Sequence, residues 1–132
     1  MEEVKITFET AKLAKEKGFN WESSFLYDEK CNLGINHHDY KRMFTNNKED
    51  TYNIAAPTQS LLQKWLREVH NIHFEIKPIF DVKDNLKPYH ISVIKNPSGK
   101  DFEYKIVGTF NTYEEVLEVG LQEGLKLISN EL

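Results

Sequence analysis

Between residues 61 and 82 the apolar period of the chain changes, and that change limits what it can fold into. Leu61, Leu62, Trp65, Leu66 and Val69 recur at three- and four-residue spacing, the stripe of a helix with one buried face. From Ile72 the spacing drops to two. Ile72, Phe74, Ile76, Pro78, Phe80 and Val82 alternate with His73, Glu75, Lys77, Asp81 and Lys83, as in a half-buried strand, with Ile79 out of pattern. Pro78 donates no ladder hydrogen bond, so this strand is predicted to be an edge or bulged. Asn71, between the two periods, suits a left-handed helix stop with Ile72 as the apolar contact that follows it.

Two further alternating runs follow. In the first, Tyr89, Ile91 and Val93 alternate with His90, Ser92 and Ile94; in the second, Phe102, Tyr104, Ile106, Gly108 and Phe110 alternate with Glu103, Lys105, Val107 and Thr109. Asn96-Pro97-Ser98-Gly99 joins them, with Pro and Gly where a type I turn takes them. Thr112-Tyr113-Glu114-Glu115 is a capping box opening a last helix. Its stripe is Tyr113, Leu117, Gly120, Leu121, Gly124, Leu125 and Ile128; the glycines permit close packing on the sheet. Residues 57–132 are therefore predicted as α-β-β-β-α, an antiparallel meander covered on one face by helices. The outer face is predicted to show His73, Glu75, Lys77, His90, Ser92, Glu103, Lys105 and Thr109, with Ile79, Ile94 and Val107 as apolar spots.

Residues 1–35 are predicted as a helix plus a short hairpin. Thr7 is the N-cap, Phe8, Ala11 and Ala14 form the stripe, and Gly18 followed by Phe19 ends the helix. Two short apolar runs, residues 24–27 and 32–35, flank the polar turn Asp28-Glu29-Lys30-Cys31. Residues 36–56 keep neither period and are predicted as a long loop anchored by its aromatics. The whole is an α+β fold, expected as a single domain over residues 1–132, since 132 residues are too few for two well-buried cores.

Charge and composition exclude several classes. Seventeen basic against 21 acidic residues leave −4, which disfavours a protein that grips nucleic acid by its overall field. The element order of residues 57–132 resembles that of double-stranded RNA-binding domains, but Glu114, Glu115 and Glu118 stand where a phosphate-binding helix would carry lysines. Nucleic acid is therefore not an expected partner. No apolar run is long enough for a membrane helix, the acidic start is unlike a signal peptide, and the lone Cys31 fits a reducing cytoplasm.

Three stretches together resemble a family of small proteins of unassigned activity. They are residues 6–19 (Ile6-Thr7-Phe8 to Lys17-Gly18-Phe19), 56–73 (Ala56-Pro57-Thr58 through Lys64-Trp65-Leu66 to Asn71-Ile72-His73) and 113–128 (Tyr113-Glu114-Glu115 to Lys126-Leu127-Ile128). The family occurs in bacteriophages, prophages and mobile elements of gut Bacteroidota, and its members often carry Ala at the positions of Gly120 or Gly124. The resemblance implies a phage or mobile-element accessory protein in the cytoplasm of a bacterial host, and it carries over no catalytic residues.

The chemistry-bearing residues support three readings. The leading one is a non-enzymatic protein that binds a macromolecular partner, a protein or a second copy as a homodimer, through the outer sheet face with His73, His90 and Lys105. The second is a binder of a small anionic ligand such as a nucleotide signal, held by Tyr40, Lys41, Arg42, Tyr52 and Arg67. The third is a small hydrolase built on Cys31 with His37 or His38, which needs a lowered thiol pKa and a positioned base. His70-x-x-His73 has two potential metal ligands, but the stop at Asn71 breaks their shared helix face, so no metal or cofactor is expected. His70 falls in the last helical turn, where a charged imidazole would meet the helix dipole favourably.

Overall fold

The computed structural model describes residues 4–35, 45–46, 53–78, 89–99 and 101–128. These form three helices and two three-stranded antiparallel sheets, an α+β fold. The chain divides into two compact units, Met1–Leu62 and Gln63–Leu132.

The first unit opens with α1 (Phe8–Glu16), capped by the Thr7 hydroxyl, which accepts from the Thr10 N–H. Gly18 adopts φ +95°, which an L side chain resists, and the chain closes on itself there. The Phe19 N–H donates to the Ala14 carbonyl and the Gly18 N–H to that of Lys15, the two bonds of a Schellman stop. Phe19 is consequently buried, with Ala11 and Ala14. The hairpin is β1 (Phe25–Tyr27) with β2 (Leu33–Ile35), in the register Phe25↔Ile35. Asp28 holds its turn by accepting from the Lys30 and Asn32 N–H groups, leaving Cys31 at φ +66°. Those bonds, that from Asn32 foremost, pull the Asp28 carboxyl below its ordinary range.

One prediction requires correction here. Residues 36–56 are not loop throughout, because β3 (Ile54–Ala55) pairs with β1 and makes it the central strand of the order β2-β1-β3. Two residues are too few to show a period, so no pattern announced them. The tie to this strand is polar: Asn46 accepts from the Ala55 N–H at 2.8 Å and donates to the Phe19 carbonyl at 3.0 Å. Tyr40, Phe44 and Tyr52, the predicted aromatic anchors, lie outside the described residues.

Helix α2 (Gln59–His70) begins one residue after Thr58, whose hydroxyl accepts from the Leu61 N–H. Leu62, Trp65 and Leu66 are buried as the stripe predicts, and the Trp65 ring meets His70 edge-on at 4.7 Å. Val69 departs from prediction: it is 52% exposed although it falls in angle on the same line as Trp65 and Leu66. Asn71 takes φ +55° and ends the helix, and Ile72 is buried immediately after it.

The second unit carries β4 (Ile72–Pro78), β5 (Tyr89–Lys95) and β6 (Glu103–Phe110) in that spatial order, followed by α3 (Tyr113–Lys126). The Thr112 hydroxyl caps α3 by accepting from the Glu115 N–H. Its glycines set how closely it lies on the sheet. A Cβ on Gly124 would stand 2.8 Å from the Phe74 ring, and one on Gly120 would collide with the end of Ile91. Ile72, Ile91 and Val93 are buried on that face, with Val116, Leu117, Leu121 and Leu125 from the helix.

Candidate functional site

The feature of the second unit that alternation did not reveal is a bulge in β6. Ile91 faces Gly108 but Ser92 faces Ile106, so Val107 is an extra residue in the ladder. Gly108 takes φ +146°, a conformation that side chains rarely adopt. Because side chains alternate strictly, one extra residue inverts every position before it relative to those after it. Gly108 and Phe110 stay on the face that α3 covers, opposite Ile91 and Tyr89. Glu103 and Lys105 join them there, opposite Lys95 and Val93, and Tyr104 and Ile106 turn to the other face.

This corrects the predicted placement. Lys105, expected on the outer face, reaches Glu123 of α3 at 2.5 Å, and Lys126 holds the other oxygen of that carboxylate at 3.2 Å. The hydrogen bond from Lys105 is the main reason the Glu123 carboxyl lies below its usual range. Tyr104 and Ile106, expected against the helices, are 51% and 61% exposed, and Phe102 just before the strand is 54% exposed. Ser92 lies on the open face as expected but is buried there, its hydroxyl 3.0 Å from the Tyr104 hydroxyl. The signal for this in the sequence is Gly108 itself, since an isolated glycine within a strand pattern marks a bulge.

The open face is otherwise mixed. In register across β4 and β5, His73 faces Ile94, Glu75 faces Ser92 and Lys77 faces His90. Lys77 and Glu75 form an exposed ion pair at 2.6 Å, and the hydrogen bond that Lys77 donates to that carboxylate raises its ammonium above the ordinary value. His73 and His90 therefore share this face but stand at opposite ends of the β4–β5 register. Arg67 and His73 meet at a small hollow of about 80 Å³ with Gln63, Ile72 and Phe74. His73 Nε2 is within 2.7 Å of the Asn71 side-chain oxygen. The described candidates thus do not converge: Arg67 and His73 lie at the hollow, His90 farther along the open face, and Lys105 on the other face, exposed beside Glu123 of α3. Tyr40, Lys41, Arg42 and Tyr52 lie outside the described residues, as do His37 and His38.

His70 also differs from its prediction. Partial burial, and after it the nearby Lys95 ammonium, push its imidazole below the ordinary value, so the neutral ring is favoured at the helix end. Cys31 is exposed on the hairpin turn. Among the described residues no group of three or more His, Cys, Asp and Glu side chains could hold a metal ion, and no helix is long and apolar enough to cross a membrane.

The first unit has a cleft of its own, about 530 Å³, between the hairpin and the start of α2. Lys5, Ser24, Phe25, Thr58 and Ser60 line it, and the Lys5 ammonium stands 4.1 Å from the centre of the Phe25 ring. Sequence reasoning missed this cleft, whose walls come from segments more than 30 positions apart in the chain, Lys5 to Phe25 and Ala56 to Leu61.

No protein-family model matches the chain, and neither a curated protein nor a solved structure matches it.

Among the described residues β6 pairs on one side only, with β5. An edge strand presents a row of main-chain donors and acceptors to another strand. Here that row is flanked by three large apolar side chains on one face and by a Glu and a Lys on the other.

Proposed function

We propose that the chain is a non-enzymatic accessory protein of a phage or mobile element, acting in the bacterial cytoplasm by binding a protein partner along β6. The observation that carries this reading is the run Phe102, Tyr104 and Ile106, each more than half exposed on one face beside an edge strand. Burying large apolar side chains is worth about 1.5–3 kcal/mol each, so leaving three side by side in water is a standing cost that a partner would relieve. Main-chain pairing would supply the affinity and the alternating side chains the selectivity, as in other cases of strand addition. Site-specific photo-crosslinking in a bacterial host tests it. A photoreactive residue at position 106 should give a discrete adduct, and one at Lys64, exposed on α2, should give none. No adduct from positions 102, 104 and 106 alike overturns the reading.

A second reading, a small anionic ligand, is favoured by the cleft of the first unit. Lys5 supplies a positive charge, with the acidic Glu22 also in the lining, Ser24, Thr58 and Ser60 the hydroxyls, and Phe25 an apolar wall. Calorimetric titration with nucleoside di- and triphosphates decides it: binding that Lys5→Ala abolishes supports this ligand class, and no heat from any of them removes it.

A further inference from the structure

We infer that the strand β6 takes is the β6 of a second copy, antiparallel, with Tyr104 opposite Tyr104 across a two-fold axis. The inference rests on the docking reading above and names its partner. It follows from comparing the registers the edge allows. In an antiparallel pair about a two-fold axis, facing residues turn their main-chain groups either both toward the partner or both away from it, so the axis passes beside a residue and not between two. Four centres place the exposed stretch in the ladder. Centring on Glu103 sets Glu103 against Glu103, and centring on Lys105 sets Lys105 against Lys105, and directly opposed like charges are destabilising. Centring on Ile106 draws Val107 and Gly108, the bulge, into the pairing.

Centring on Tyr104 has none of these faults. Glu103 then faces Lys105 of the second copy, and Lys105 faces its Glu103, on the side that α3 covers. On the open side Phe102 faces Ile106, Tyr104 faces Tyr104, and Ile106 faces Phe102. Each of the three side chains exposed in the single chain gains a large apolar neighbour across the pairing, and both charges meet their opposites. The bulge at Val107 falls just beyond the paired stretch, where it ends the ladder. The two sheets would join as one of six strands with both α3 helices on the same face.

The charge pattern supplies a test specific to this register. Glu103→Lys alone sets lysine against lysine at both ends of the pairing, and Lys105→Glu alone sets glutamate against glutamate. A mixture of the two variants restores opposite charges at both positions. By light scattering at about 100 μM, within reach of weak specific association, the wild type should approach twice 15.5 kDa. Each variant alone should run at the single-chain mass, and the equimolar mixture should return toward the doubled one. Circular dichroism verifies that both variants fold. Should Lys105→Glu fail to fold for want of its bond to Glu123, Tyr104→Cys in a Cys31→Ser background takes its place. With oxidised glutathione it should cross-link into a dimer, because directly opposed Cα atoms lie about 4.5–5.5 Å apart, within the span that a disulfide bridges, whereas Ile106→Cys should not. A monomeric wild type at that concentration overturns self-pairing, as does a dimer indifferent to Glu103→Lys and to cysteine position. If the wild type is monomeric but position 106 still cross-links to a different protein, self-pairing falls and the docking reading stands.

Discussion

At the scale of single residues, Asn46 shows how much one side chain can decide. Its amide spans the end of α1 and β3, satisfying the N–H of the fully buried Ala55. Asn46→Ala would leave that donor buried without its acceptor, and we expect a loss of about 1–3 kcal/mol. Denaturant titration should show it as a lower midpoint with an unchanged slope. A midpoint equal to that of the wild type refutes this account of the tie. Nothing in the sequence marked Asn46, since the residues around it keep no period and one amide bonding two backbone groups leaves no pattern. His70 carries a different expectation. Its folded pKa lies below the ordinary 6.5 because burial and Lys95 both oppose the charge. The unfolded chain then binds that proton more tightly than the folded one, so stability is unaffected well above pH 6.5 and falls as the pH drops through that value toward the folded pKa. Melting temperatures from pH 7.5 to 5 should decline more steeply in the wild type than in His70→Gln.

At the scale of elements, what was legible depended on how many residues carried each signal. The buried line of α2, the stops at Gly18 and Asn71, the Thr112 cap and the strands β4, β5 and β6 each rest on several residues that agree and stand where the sequence puts them, Val69 apart. The predicted continuation of the first of these strands through Ile79, Phe80 and Val82 lies outside the described residues. The two-residue β3 had no room for a pattern. The face of β6 was misread because alternation assumes an unbroken ladder, so that a single bulge put Lys105 and Tyr104 on the wrong sides. The candidate site was misplaced for the same reason: the apolar strip that carries the proposal was assigned to the core. The packing of α3 yields a prediction where two tendencies oppose. Replacing Gly124 by Ala improves helix propensity by about 1 kcal/mol, but its Cβ would press on the Phe74 ring and on Ile72. A ring held between strands and helix gives way less easily than a chain end, and overpacking costs about 1–3 kcal/mol. Gly124→Ala should therefore be destabilising by about 1 kcal/mol net, and Gly124→Ala combined with Phe74→Leu should recover part of it. A Gly124→Ala chain that melts higher than the wild type would show that the helix can withdraw from the sheet at little cost.

At the scale of the whole molecule, association and stability become one measurement. If folded copies pair through β6 while unfolded ones do not, mass action ties the melting temperature to protein concentration. A rise in that temperature on going from about 5 to about 500 μM is expected for the wild type, and no rise for Glu103→Lys. The bulge at Val107 has one more consequence, which belongs to heredity rather than to packing. Val107 is a single codon, and its in-frame loss would restore unbroken alternation to β6. With Gly108 and Phe110 held by their partners on β5, Ile106 would follow Gly108 directly and still stand opposite Ser92, so Tyr104 and Ile106 would keep the open face and Lys105 its place beside Glu123. The strip on β6 thus tolerates the loss of one triplet, and the deletion variant, assayed for mass and for melting, should associate as the wild type does; a solitary chain would show that the bulge itself is needed.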